Sequence, residues 1–211
     1  MTIKEQTFEK LSQELIKNLK KRNIDGYYFA DSKSCVDAVL DMMPEKSSIA
    51  WGGSMTLKES GLMDALQSKD YTLIDRSAAK TPQESREIYA KTVLADYYLM
   101  STNAMTIDGE LINIDGNGNR VACLIQGPAH VFLIVGRNKV VSSVEGGIER
   151  VRNFASPPNA IRLNRNIPCG LTGFCHDCLS AECFCNQIVV TRRSGHTGRI
   201  KVFLINEDLG Y

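Results

Sequence analysis

The chain has 211 residues, 43% of them hydrophobic, enough to bury a sizeable core in one domain or two small ones. With 25 Lys+Arg against 24 Asp+Glu, the formal charge of +1 excludes the electrostatic excess that drives nonspecific binding to nucleic acid or to an anionic membrane. Residues 1–6 hold no apolar core of signal-peptide length. No run approaches the roughly 20 apolar residues of a spanning helix. The expectation is a cytoplasmic protein with no nucleic-acid partner and no membrane span.

Phe8, Leu11, Leu15 and Leu19 recur at helical spacing and predict an amphipathic helix over residues 3–22. A short strand at 27–30 follows Gly26, then a helix marked by Val36, Val39, Leu40 and Met43 and stopped by Pro44. The strand 48–51 turns through Gly52-Gly53-Ser54 into a third helix ending near Gln67, and 71–74 is the next strand. Thr81-Pro82-Gln83-Glu84 carries two helix-start marks. Thr81 can cap with Glu84 reaching back, and Pro82 stands where its missing N–H costs nothing. That helix runs to about Val93, ahead of a strand at 97–100. Alternation of this kind builds a mostly parallel sheet with helices on both faces, an α/β fold.

After Ser101 the character changes. Asp108-Gly109 between two apolar segments predicts a hairpin, and Asp115-Gly116-Asn117-Gly118-Asn119 a loop tolerant of positive φ. The apolar run 131–135 suits a central strand, and Val144, Ile148 and Val151 mark a last helix. Residues 156–185 read as loop, followed by strands at 187–191 and 200–205 with a hairpin tip at His196. The simplest organisation is one α/β domain over 1–211 with a cysteine-rich metal-binding segment at 165–187. Cys35 and Cys123 fall in apolar helix and strand contexts and read as small core residues.

Five of the seven cysteines lie close together: Cys169, Cys175, Cys178, Cys183 and Cys185. In a reducing compartment, clustered thiols are metal ligands or redox groups rather than disulfides, and an odd total argues against full pairing. Cys175-His176-Asp177-Cys178 is a C-x2-C knuckle, whose spacing lets two thiolates face one metal. Cys169 on one side and a cysteine from Cys183 or Cys185 on the other complete four ligands. In an extended stretch those last two side chains point oppositely, so one of them faces the centre. All-thiolate ligation suits zinc and iron–sulfur clusters alike. Two other readings remain: a non-catalytic binding or assembly subunit with a closed structural zinc, and a dithiol redox protein using Cys175 and Cys178.

In open α/β sheets ligands bind beyond the carboxyl ends of the strands. The loops there are Asp31-Ser32, Gly52-Gly53-Ser54, Asp75-Arg76, Ser101-Thr102-Asn103 and Gly136-Arg137-Asn138-Lys139. Gly52, Gly53 and Ser54 open a helix whose free N–H groups attract an anion. Arg137 and Lys139, flanking Asn138, add positive charge, and Thr102 and Asn103 can hydrogen-bond a sugar or acyl group. Asn117, Asn119 and Arg120 can line the same pocket. Glu110 and Asp115 are the nearest carboxylates for acid or base work. The expected ligand is a small anionic metabolite such as a hydroxy acid, sugar phosphate or acyl-CoA.

Several stretches resemble the lactate-utilization (LUD) domain family: Ala95 to Ala104, Asp108-Gly109-Glu110-Leu111, Asn113 to Arg120, Val135 to Val141 and Asn206 to Tyr211. The resemblance implies a fold similar to the CoA-transferase and ribose-5-phosphate isomerase group. It also implies the subgroup with a C-terminal cysteine segment, in which a polar residue and a strand follow the fourth cysteine. Here that is Cys185-Asn186, which selects Cys169, Cys175, Cys178 and Cys185 as ligands of a 4Fe-4S cluster or zinc; Cys183 is an addition to the pattern. A role in lactate oxidation beside iron–sulfur partner proteins is implied in the same way.

Overall fold

The structure, a computed structural model, describes residues 1–211. Its strands in chain order are β1 (Asp25–Phe29), β2 (Ser48–Trp51), β3 (Thr72–Ile74), β4 (Tyr97–Met100), β5 (Ala104–Thr106), β6 (Leu111–Asp115), β7 (His130–Gly136), β8 (Val140–Val141), β9 (Gln187–Thr191) and β10 (Ile200–Ile205). The helices are α1 (Ile3–Lys21), α2 (Ser32–Asp41), α3 (Met55–Glu59), α4 (Leu62–Leu66), α5 (Pro82–Val93), α6 (Asn119–Ile125), α7 (Val144–Arg150), α8 (Ser156–Arg162) and α9 (Pro168–Thr172).

Six strands form a wholly parallel sheet in the order β1-β10-β7-β4-β2-β3. Alternate residues of its central strands serve two cores, as the two-residue period of a strand requires. Tyr98, Met100, Val131, Leu133, Val202 and Leu204 pack with Leu15 and Leu19 of α1. Tyr97, Leu99, Phe132, Ile134, Phe203 and Ile205 pack with Val36 and Val39 of α2 and with Leu57, Leu62 and Leu66. Each fully buried side chain of this size contributes about 1.5–3 kcal/mol. This is the expected α/β architecture, a parallel sheet with helices on both faces.

Local chemistry sets the helix starts. Thr2 caps α1 by accepting from the Glu5 N–H, and the Glu5 carboxylate accepts the Thr2 N–H, a reciprocal box. Thr81 caps α5, but Glu84 reaches one residue further than expected and accepts from the Lys80 N–H. The third predicted helix is broken into α3 and α4 at Gly61, whose φ of +79° no helix interior adopts.

A second sheet, β8-β5-β6-β9, was not foreseen. The hairpin at Asp108-Gly109 joins β5 and β6, and Gly109 has a φ of +90°. β9 pairs antiparallel with β6, whereas β10 enters the main sheet between β1 and β7. The hairpin expected at His196 is therefore a crossing between sheets. Gly147 lets α7 lie close on this sheet, since a Cβ there would stand 2.8 Å from Ile112 Cδ1. Cys123 is buried in α6, a helix where a strand context was expected. The 156–185 stretch is not all loop. α7 continues through a π-helical turn, Val151–Ala155, into α8, and Cys169 sits in α9.

Candidate functional site

The carboxyl ends of β2, β4 and β7 open beneath the second sheet and α8, and between them lies a cleft of about 320 Å³. Its charged lining comprises Arg76, Arg120, Lys139, Arg162 and Arg165, with Asp115 as the one carboxylate. Arg76, Arg162 and Arg165 are exposed and take part in no ion pair. Arg162 donates to Asn159 Oδ1, also in the lining, at 2.6 Å.

Arg120 is largely a fixture. Its guanidinium donates to Asn103 Oδ1 at 3.0 Å, to the Ile114 carbonyl at 2.8 Å, and to Asn113 Oδ1. Burial lowers its pKa, and Asp115 opposes that shift. Asp115 Oδ1 accepts the Gly118 N–H at 2.9 Å and so closes the loop after β6. Asp115 Oδ2 lies 3.2 Å from Arg120 Nε, but the pair lacks hydrogen-bond alignment, and Oδ2 has no hydrogen-bond partner. The carboxylate is thus buried against the guanidinium as its counter-charge. Gly52 packs directly on this group: a Cβ there would sit 3.1 Å from Tyr98 Oη and 3.2 Å from Arg120 Cδ.

Lys139 is 4% exposed and reaches Thr56 Oγ1 at 2.7 Å and Ser101 Oγ at 3.0 Å. No carboxylate pairs with it. Burial, then the neighbouring Arg150 and Arg120, brings its pKa down to about 7. Gly210, at a φ of +61°, lays the C-terminal residues over it; a Cβ there would stand 2.6 Å from Thr56 Oγ1 and 3.5 Å from Lys139 Nζ.

The structure sorts the expected site residues into two sets. Gly53, Ser54, Thr102, Asn103, Asp115, Asn117, Asn119, Arg120 and Lys139 line the cleft, with Gly52 behind them. Several of these side chains are already engaged. Thr102 Oγ1 bonds the carbonyls of Ala104 and Ile112, Asn103 Oδ1 accepts from Ile114 N, and Ser54 caps Leu57. The helix after Gly52-Gly53-Ser54 is only five residues long, so the expected helix-end anion site is not built there. Glu110, Arg137 and Asn138 lie outside the cleft. Glu110 is held by Arg22 and by Thr106 Oγ1. Arg137 pairs with Asp208 at 3.0 Å, and Asn138 bonds Leu209 N and the Gly210 carbonyl. Arg162 of α8, Arg165 at its exit and Ser156 lie in the segment that reads as loop, which hides them in sequence; Tyr211 joins the lining from the C-terminal stretch.

The cysteine segment borders the same cleft. Phe184, between Cys183 and Cys185, lines it and covers Gly116. Ser156 Oγ, also in the lining, is 3.5 Å from Cys185 Sγ. All seven cysteines are free thiols. Burial raises the Cys169 pKa, and the nearby Cys178, Cys175 and Cys183 add to it; burial pushes Cys185 up to about 11. In the knuckle, Asp177 with a φ of +48° directs its N–H at Cys175 Sγ, 3.3 Å away, and Cys185 N likewise faces Cys183 Sγ at 3.4 Å. As they stand, no three His, Cys, Asp or Glu side chains are grouped as metal ligands. The donor type, soft thiols supported by backbone N–H groups, fits zinc or an iron–sulfur cluster. His176 is occupied with Thr172 Oγ1 at 2.8 Å and stacks on Phe174.

A parallel α/β sheet with a cationic cleft at its strand ends and a small second sheet beside it defines the class: an open α/β protein whose candidate ligand site lies at the carboxyl ends of its strands. Within that class the chain belongs to the LUD-domain family, whose model matches residues 12–205, and it is a lactate-utilization-type protein in that sense. A crystal structure of a DUF162 family protein from Deinococcus radiodurans shares the fold, with 12% identity and a TM-score of 0.51 over 95% of this chain and 98% of that one. None of the curated proteins matches this chain. No helix is long and apolar enough to cross a membrane.

Proposed function

We propose that the cleft binds a small metabolite bearing phosphate or carboxylate groups, such as a hydroxy acid, a sugar phosphate or an acyl-CoA. The observation that carries this reading is the excess of unpaired positive charge: Arg76, Arg162 and Arg165 line the cleft outside any ion pair, while its one carboxylate side chain, Asp115, is matched by Arg120. Arginine forks bind such anions through charge-assisted, often bidentate hydrogen bonds, and a concave wall strengthens the field. Calorimetric titration with a panel of these three ligand classes tests the reading. Saturable binding weakened tenfold or more in the double variant Arg162→Ala, Arg165→Ala is expected; absence of binding by the whole panel overturns it.

Beside the cleft, Cys169, Cys175, Cys178 and Cys185 would hold a metal centre. An iron–sulfur cluster would supply electron-transfer chemistry there, and a zinc ion would close the fold around the segment. Zinc in a binding or assembly subunit is the second reading, favoured by the burial of Cys169 against Ala160 and Ile167 in a small core of its own. Iron, zinc and acid-labile sulfide, measured on protein purified without oxygen, separate the two.

A further inference from the structure

We propose that Lys139 is a nucleophilic amine that condenses with the carbonyl group of an anionic aldehyde or ketone held in the cleft. The inference rests on the anion-binding reading above and narrows it to one substrate class, 2-oxo acids and aldose or ketose phosphates. Hydrogen-bond accounting around Nζ supports it. Thr56 Oγ1 gives its proton to the Leu209 carbonyl at 3.2 Å, and Ser101 Oγ gives its proton to the Thr102 carbonyl at 3.2 Å. Both hydroxyl oxygens must therefore accept from Lys139. Two protein acceptors suffice for the two N–H bonds of a neutral amine and leave its lone pair without a protein partner at the cleft. Charge points the same way. Nζ has no paired carboxylate, Arg150 and Arg120 are its cationic neighbours, and Glu59, the one opposing acid, is engaged by the Gly210 N–H at 2.5 Å. A lysine desolvated beside other cations is the known route to an amine reactive near neutral pH.

The step balances without a redox partner. Nζ adds to the carbonyl carbon, a proton passes from nitrogen to the oxygen, and a carbinolamine forms. The C–O bond then breaks, the oxygen leaves as water with both hydrogens of the amine, and a C=N bond joins Lys139 to the substrate.

Pyridoxal 5′-phosphate, an aldehyde carrying a phosphate, is the probe, followed by borohydride reduction and peptide mapping of the wild-type chain. One adduct at Lys139, formed at least tenfold faster than at any surface lysine and absent in Lys139→Arg, is the expected result. Labelling spread over surface lysines with Lys139 unmodified overturns the proposal, and needs no variant to fold. Unphosphorylated pyridoxal and protection by 2-phosphoglycolate separate the two claims. If Lys139 is modified equally by both aldehydes without protection, the amine is reactive and the anion site is wrong. If the phosphate binds at equilibrium while Lys139 stays unmodified, the anion site stands and the amine proposal falls.

Discussion

Replacing Lys139 with methionine should stabilise the folded chain in neutral and mildly acid buffer, and the gain should shrink as pH rises. Lys139 is buried without a paired carboxylate, and its pKa is brought from the ordinary 10.5 to about 7, first by burial and then by Arg150 and Arg120. Between those two values the unfolded chain binds the proton and the folded chain does not, so the contribution of this group to stability rises with pH across that window. Below about pH 7 both states are protonated and the full penalty is present. Above 10.5 neither is, and the penalty is gone. At about 1.4 kcal/mol per unit, the shift sets a ceiling of about 5 kcal/mol. Lost hydrogen bonds offset part of the gain, although Thr56 and Ser101 keep their own carbonyl acceptors. A net gain of about 1–3 kcal/mol at pH 6 follows from these opposing costs. Urea unfolding of wild type and Lys139→Met at pH 6, 7.5 and 9 reads the difference, in which other titrating groups cancel. A destabilised variant at pH 6, or a gap that does not change with pH, would refute the reasoning.

The structure makes other outcomes measurable. Cys178→Ser should lower bound iron or zinc per chain severalfold, while Cys35→Ala, remote in the main core, keeps it; equal metal in both removes the thiolate centre. Glu110→Gln should cost about 1–3 kcal/mol in chemical unfolding by weakening the Arg22 and Thr106 contacts. Its affinity for 2-phosphoglycolate should be that of wild type, because Glu110 is not in the cleft. Arg120→Met leaves Asp115 buried without its counter-charge, and a loss of about 3–5 kcal/mol is expected by the same assay.

The main sheet was legible because its strands are short apolar runs separated by periodic helices, each pattern repeating at its own spacing. Of the second sheet only the parts were legible, the hairpin of β5 and β6 and the strand β9; the two-residue β8 and the mixed pairing that joins them leave no periodicity to read. Pro157-Pro158 and the cysteines made 156–185 look like loop, yet prolines sit without cost in the first turn of α8. That hid Arg162 and Arg165, which reach the cleft only through the return of a distant segment. At Arg137-Asn138-Lys139 the loop was found but its residues were not separable. In a 3-10 turn three successive side chains take three directions, so Arg137 meets Asp208, Asn138 holds the C-terminal backbone, and only Lys139 turns inward. Asp115 and Glu110, alike in sequence as carboxylates of one hairpin, end at opposite ends of β6, and one alone borders the cleft.

Titration of 2-phosphoglycolate, a small anion with both a phosphate and a carboxylate, into wild type and the Arg162→Ala, Arg165→Ala double variant tests the cationic cleft most directly. The account predicts one saturable site in the wild type, weakened by added salt, and at least tenfold weaker binding in the double variant. Equal affinity in the two proteins, or no binding to either, would contradict it.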